Sequence, residues 1–346
     1  MGRYIARRLL QAIPMLLLLS IFLFALVNLA PGGPLAGHSR TRHIRPERVE
    51  MLKRQLGLDQ PLAMQYVIWL VGNDWMEVDA DGDGVAESRG ERRGILRGDF
   101  GFSFRTRQPV LDEIGQRLGN TVYLMTVTLL IVAVIAIPVG VLSAIKQYSW
   151  FDISVTTLSF MGQAIPEFWL GMILILVFYV WLKNPLTGEP LLPAGGMQSL
   201  AAGFSLGDRI RHLILPVTMG AVGWVAWYSR FLRSGMLDVI HQDFIRTARA
   251  KGLRERAVMY RHALKNALIP LVTIFALDIP YIFAGSLYVE LIFSWPGMGR
   301  LYYQAAEGRD YPLLMAILII GAGFTVFANL LADVAYAWLD PRIRYE

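Results

Sequence analysis

The sequence predicts an all-α membrane protein with six transmembrane helices, both termini cytoplasmic, and a long external segment between helices 1 and 2. Three observations predict it. Of the 346 residues, 55% are hydrophobic and only 17% charged, where a soluble domain has about 45–50% and about 25%. Six apolar stretches reach or approach the roughly 20 residues a helix needs to cross about 30 Å of hydrocarbon: residues 9–30, 121–145, 154–182, 213–229, 268–293 and 312–339. Lys and Arg fall unevenly between the two sets of loops that these stretches define. Helices are required because lipid cannot satisfy an unpaired backbone N–H or C=O. The composition excludes fibrous and disordered classes. With no cysteine there is no disulfide framework and no thiolate nucleophile or metal ligand.

Taken in order, residues 9–30 are too long for the 7–15-residue core of a signal peptide, and Asn28-Leu29-Ala30-Pro31 is a poor cleavage site, so a retained first helix is expected. Within the external segment 31–120, residues 45–57 and 62–71 read as short helices. Residues 121–339 supply the five-helix core, and 340–346 a short tail. The third stretch is long and interrupted at Pro166-Glu167; the fourth is short and carries Pro216.

Sidedness follows from the basic residues of the short loops. Residues 1–8, 146–153, 230–267 and 340–346 together hold 15 Lys and Arg against six carboxylates. The opposite short loops, 183–212 and 294–311, hold five, and in 31–120 the 13 basic residues are matched by 13 acidic ones. The first set is therefore cytoplasmic. Splitting the third stretch into two spans would move the basic 230–267 loop outside, so it is read as one. The net charge of +6 is thus a topology signal, and nucleic acid is not an expected partner.

Four carboxylates, Glu167, Asp278, Glu290 and Asp333, lie within or at the ends of the spans. An intramembrane carboxylate marks either a pathway or proton relay, or a polar contact between helices. With no Lys or Arg well inside a span, the second reading is the simpler: Glu167 and Glu290 near wet helix ends or breaks, Asp278 and Asp333 bonded to neighbouring helices. His38, His43, His212, His241 and His262 fall outside the spans without metal-ligand spacing and read as surface or loop residues. No catalytic constellation is present.

The loop 230–267 is the most informative segment. From Asp238 to Lys251 an apolar stripe of Ile240, Phe244 and Ala248 recurs every four residues, with Ile245 beside it and Arg246, Arg249 and Lys251 among them. Gly252 breaks the helix. A second stripe, Leu253, Ala257, Tyr260, Leu264 and Ala267, then runs to Leu268-Ile269-Pro270. Such a helix either rests on anionic lipid or docks in a partner's groove.

Here the residues resemble a family. Phe244-Ile245-Arg246-Thr247-Ala248-Arg249-Ala250-Lys251-Gly252-Leu253, followed by Arg261-His262-Ala263-Leu264-Lys265-Asn266-Ala267-Leu268-Ile269-Pro270, resembles the cytoplasmic EAA loop of ABC-importer permeases, dipeptide/oligopeptide branch. Arg246 and Thr247 replace the general pattern's Glu and first Ala, and Pro270 lies further from Gly252 than in sugar-importer permeases; both departures are typical of the peptide branch. The resemblance extends over most of the chain: Arg7-Arg8-Leu9-Leu10 through Ala30-Pro31-Gly32-Gly33-Pro34, Leu56-Gly57-Leu58-Asp59-Gln60-Pro61, Gly98-Asp99-Phe100-Gly101-Phe102-Ser103, Val289-Glu290 with Phe293-Ser294-Trp295-Pro296-Gly297-Met298-Gly299, Arg309-Asp310-Tyr311-Pro312 and Asp340-Pro341-Arg342.

The resemblance implies a multi-pass subunit of the bacterial inner membrane that is not itself an enzyme. Its implied partners are a second homologous permease, two ATP-binding ATPase subunits and an extracytoplasmic solute-binding protein, besides membrane lipid. It implies no cofactor of the chain's own, with ATP and Mg held by the ATPases; the absence of a G-x-x-x-x-G-K-[ST] loop agrees. Ile240, Phe244, Ile245, Arg246, Ala248, Arg249, Lys251 and Gly252 are the residues expected to couple to an ATPase. Di- or oligopeptides are the expected solutes, with nickel, glutathione or oligosaccharides carried by the same kind of machinery as alternatives. An ion-coupled secondary transporter is the rival mechanism, and the sequence shows no inverted halves to favour it.

Between residues 69 and 98 the chain is longer than is usual for that branch. The extra stretch contains Asp79-Ala80-Asp81-Gly82-Asp83-Gly84, with Glu87 at the ninth position. Asp79, Asp81, Asp83 and Glu87 match the opening of a calcium loop, but position 12 is Gly90 instead of a bidentate Glu. A solvated acidic turn has the same composition.

Overall fold

The computed structural model describes residues 2–30, 33, 46–79, 88–90, 92–199 and 205–339. In chain order the elements are α1 (Gly2–Leu29), α2 (Pro46–Gln55), α3 (Leu62–Val71), β1 (Glu77–Val78), β2 (Ser88–Arg89), α4 (Val110–Ile145), α5 (Trp150–Ala164), α6 (Glu167–Ile175), α7 (Leu206–Ile240), α8 (Asp243–Ala250), α9 (Glu255–Ala257), α10 (Leu264–Asp278), α11 (Tyr281–Ala284), α12 (Leu287–Ile292), α13 (Met298–Glu307) and α14 (Tyr311–Leu339). Short π-helical turns, Leu176–Trp181 and Val258–Ala263, extend α6 and join α9 to α10.

Among the described residues five helical stretches are long and apolar enough to cross a membrane: Ala6–Leu29, Val110–Ile145, Leu206–Ile240, Glu255–Ile292 and Tyr311–Leu331. The third expected span is a bent pair, Trp150–Ala164 and Glu167–Trp181, meeting at 99°. Taken as one span it makes six. The cause of the bend is Pro166: proline has no N–H to donate and forces the residue before it out of the helical region. Ile165 is accordingly extended, at φ −73° and ψ 124°. Pro216 does the opposite of what its position suggests. The fourth stretch, expected only over 213–229, is a continuous 35-residue helix that passes through the buried Pro216. Hydropathy marked only its apolar middle. Ser205 caps its start by accepting from Asp208 N, and its far end carries Arg230, Arg233 and Asp238 beyond the apolar run.

The chain forms two compact units, Met1–Arg117 with Leu301–Val326, and Leu118–Arg300 with Phe327–Glu346. In the first, Leu23, Val27, Trp69 and Met315 form a core with Phe24, Tyr66, Leu70, Ile95 and Tyr311 around it. Phe24 meets Tyr66 edge-on at 5.4 Å, and Ser20 Oγ and Tyr66 Oη share a 2.8 Å hydrogen bond. β1 and β2 pair antiparallel, Glu77 with Arg89 and Val78 with Ser88. Asn73, buried, ties this region together, donating to Gln55 O at 3.1 Å and accepting from Arg92 N at 3.0 Å. The Gly98–Ser103 motif is anchored by Ser103 Oγ, which donates to Asp310 Oδ2 at 2.5 Å.

In the second unit α7 is central, packed by α5, α6 and α10. Between helices in lipid there is little hydrophobic gain, because acyl chains are as apolar as Leu, so close packing must supply the attraction. Two glycines permit it: a Cβ on Gly140 would stand 2.7 Å from Ser229 O, and one on Gly171 2.5 Å from Met219 Sδ. One end of the unit is filled by Leu124, Leu213, Leu215, Met219, Val289, Phe293 and Trp295. The other holds Tyr228, Leu232, Met236, Ile245, Ala248, Val258, Met259 and Ala263.

Candidate functional site

The loop that follows α7 folds as a clasp. α7 ends at Ile240; His241 and Gln242 leave the helix, and α8 restarts at Asp243. The expected stripe of Ile240, Phe244 and Ala248 is therefore not one face of one helix. Ile240 packs half-buried at the end of α7, while Ile245 and Ala248, one turn apart, are the buried pair of α8. Phe244 lies 43% exposed, alongside the exposed Arg246 and Lys251. A four-residue repeat drifts around a 3.6-residue turn, so the inward face falls on Ile245 instead. Gly252 turns the chain at φ +74°, a left-handed conformation that costs glycine little. Arg249 then closes the turn with a 2.7 Å ion pair to Glu255.

The second expected stripe also shifts. The π-helical turn Val258–Ala263 inserts an extra residue, so Val258, Met259, Ala263 and Ala267 are buried whereas Leu253 and Tyr260 are exposed. The clasp is thus held to its own scaffold by one face and presents Phe244 and Arg246 outward.

Deeper in this unit a cavity of about 200 Å³ is bounded by Thr128, Glu167, Trp224, Tyr281 and Ser286. Glu167 opens α6 immediately after the Pro166 bend, and Ser286 Oγ donates to it at 3.4 Å. Of the span carboxylates whose side chains are described, Glu167 alone lines this cavity. Asp278 accepts from Tyr228 Oη on α7, a helix-to-helix bond. Asp333 lies on α14, and its side chain is outside the described residues.

Glu290 departs from the expected wet setting. It follows the helix break at Gly285 yet is fully buried. Thr121 Oγ1 donates to its Oε1 at 2.8 Å, Arg300 N donates to its Oε2 at 2.9 Å, and Thr121 Oγ1 also accepts from Met298 N at 2.7 Å. Nearby, Trp295 Nε1 donates to Asn120 O at 3.0 Å. This joins the start of the second span to the 285–300 segment, and the carboxylate fits only because glycines surround it. A Cβ on Gly297 would lie 2.5 Å from both Glu290 Oε2 and Thr121 Oγ1. Gly297→Ala is therefore expected to destabilise the protein by about 1–3 kcal/mol, the usual cost of overpacking. Gly223→Ala, inside α7 where a Cβ meets nothing within 4 Å, should not destabilise the detergent-purified protein and should raise its thermal stability by up to about 1 kcal/mol.

One ion pair escaped the sequence reading. Arg233 on α7 donates from Nε to Asp152 Oδ1 at 2.6 Å and from an Nη to Oδ2 at 2.8 Å. Asp152 also accepts from Ser143 Oγ at 2.6 Å and Tyr148 N at 2.9 Å. Arg233 sits on the helical extension beyond the apolar stretch, where hydropathy gives no sign of a span. His212 is a second correction. Its sequence position reads as surface or loop, but it is buried on α7 and its ring contacts Gly195 O at 2.9 Å. Of the calcium set, Asp79 is described, while Asp81, Asp83 and Glu87 lie outside the described residues; among the described residues no cluster of three or more acidic or His side chains is placed to hold a metal.

The helices and loops above define a polytopic all-α membrane protein built around α7. Comparison with known proteins adds its family. Residues 136–345 match the model described as binding-protein-dependent transport system inner membrane component, and residues 1–125 match the N-terminal model of the same system. The chain is 42% identical over 346 residues, all of both chains, to the oligopeptide transport system permease protein AppB of Bacillus subtilis. It is 34% identical over 361 residues, again the whole of both, to the dipeptide transport system permease protein DppB of Escherichia coli K12. A DppB of Alkalihalophilus pseudofirmus is 33% identical over 99% of each. The chain belongs to the family of binding-protein-dependent transport system inner membrane components, the ABC-importer permeases, and is a multi-pass inner-membrane protein. The resemblance carried by the EAA-like loop and its companion motifs was correct.

Proposed function

We propose that this chain is one transmembrane half of an ATP-driven importer that receives di- or oligopeptides from an extracytoplasmic solute-binding protein and passes them inward by alternating access. A second, homologous permease completes the path. Two separate ATPase subunits, holding ATP and Mg, supply the work. The observation that carries this reading is the division of α8. Ile245 and Ala248 lock it to the scaffold, and the exposed Phe244 and Arg246 remain for a partner's groove. A short helix fixed on one face and bare on the other transmits a push to the helices behind it, here α7 and the Val258–Ala263 turn. The cavity beside Glu167 lies in the same unit and is the natural place for a solute to pass, its carboxylate facing a peptide's ammonium group. The peptide assignment itself leans on the relatives' transported class.

Purification through a tag on this chain, followed by an ATPase assay in lipid, tests the proposal. Recovery of a second permease and two ATPase subunits, with hydrolysis raised by a peptide-loaded binding protein, is the expected result. A chain that purifies alone and moves solute with an ion gradient would refute it.

A further inference from the structure

The first unit contains a larger cavity, about 430 Å³, that the transport reading does not use. Its wall is mostly apolar and aromatic: Phe24 and Val27 near the end of α1, Trp69 on α3, and Tyr311 and Met315 in the first turns of α14. Both α1 and α14 are membrane helices, so the cavity opens where two spans meet the segment between 46 and 107. Aromatic side chains gather at this depth because their rings suit the hydrocarbon–water boundary.

One group in this wall has no explanation within the fold. Arg92 lines the cavity, and its Nε is buried with no hydrogen-bond partner among the described residues. A buried donor left unsatisfied is costly, and more so on a charged group. Burial pushes the guanidinium below its ordinary pKa, an effect that the Asp99 charge opposes. Asp99 forms no ion pair with it among the described residues; its two oxygens accept from Arg93 N at 2.9 Å and Gly101 N at 3.0 Å. A second arginine, Arg107, lines the same cavity, so the lining carries two guanidinium groups against one carboxylate.

An apolar pocket with a net positive, under-satisfied arginine at the edge of the membrane fits an anionic amphiphile. We propose that this cavity binds one anionic phospholipid, the phosphodiester accepting hydrogen bonds from the Arg92 guanidinium and the first part of an acyl chain lying along Phe24, Val27 and Trp69. Arginine suits this task because its planar donors match phosphate oxygens two at a time. A pocket of this size accommodates a headgroup and the start of a chain. The rest of the chain continues onto α1, whose Leu10, Leu18 and Phe22 are exposed. Free inorganic phosphate would satisfy the arginine but leave the apolar wall unfilled. The proposal does not depend on which solute is transported.

The test uses the full chain purified with its partner subunits, stripped with detergent and returned to phosphatidylglycerol, phosphatidylcholine or inorganic phosphate. Native mass spectrometry should find one phosphatidylglycerol retained per copy of this chain, and tenfold less phosphatidylcholine. Arg92→Gln should lower that retention at least tenfold, while Arg92→Lys keeps part of it. Asn28→Trp fills the cavity without altering its charge, since Asn28 is part of the lining, and should block retention on its own. Unchanged retention in both Arg92→Gln and Asn28→Trp would overturn the proposal. So would protection by inorganic phosphate alone equal to that by the lipid.

Discussion

Phe244→Asp is expected to abolish solute uptake while leaving the protein folded and inserted. Phe244 is 43% exposed, so its removal takes little from the chain's own core. If it seats in an ATPase groove, it is an aromatic anchor of the kind that dominates such interfaces. Loss of one anchor weakens docking by about 2–4 kcal/mol, and a carboxylate placed in the groove adds a desolvation penalty. The measurement is peptide uptake in cells together with ATPase activity of the purified complex. Uptake should fall by about 30-fold or more, with the amount of protein in the membrane unchanged. Ile245→Asp is the informative contrast. Ile245 is fully buried against Val258, Met259 and Ala263, so an aspartate there should prevent folding and lower the amount of protein itself. Normal uptake by Phe244→Asp would remove the coupling role from α8.

Arg233→Ala is expected to destabilise the second unit strongly. It leaves Asp152, only 4% exposed at its side chain, without its cation. Removing one member of a buried pair costs about 3–5 kcal/mol, because the remaining charge is stranded. The pair also fixes geometry: Asp152 gathers the end of α4 through Ser143 and the 146–149 turn through Tyr148 N, and Arg233 attaches both to α7 about two turns before the clasp. Thermal unfolding of the purified protein should show the loss. Arg233→Lys keeps the charge but not the two-point contact and should fall between. The double variant Asp152→Asn with Arg233→Ala should recover most of the stability, because no unpaired charge remains. Equal instability of the double and single variants would mean that Arg233 acts through packing and not through its charge.

Much of this protein is legible from local chemistry. Hydropathy located the apolar segments within a few residues of the helical cores, because a run of about 20 apolar residues has few alternatives in lipid. Gly252 was readable as a turn, and φ +74° shows why glycine stands there. The motif order from Arg7-Arg8 to Pro312 is enough to place the chain in its family. Helix ends were less legible: α4 begins at Val110 and α7 runs to Ile240, well beyond their apolar stretches. There, polar residues extend helices whose continuation depends on caps and partners.

What the sequence by itself determined is the all-helical membrane class, the approximate spans, the break at Pro166 and the exposed-loop chemistry of 244–270. Each follows from properties of a residue and its near neighbours. What only the tertiary structure decided is the 99° angle at that break, the inward choice of Ile245 over Phe244, the pairing of Asp152 with Arg233, and the glycine cradle around the buried Glu290. The partners in those contacts are far apart in the chain: 81 residues separate Asp152 from Arg233, and 169 separate Thr121 from Glu290. A buried charge is tolerated only where such distant groups converge on it, and convergence is a property of packing that no local pattern encodes.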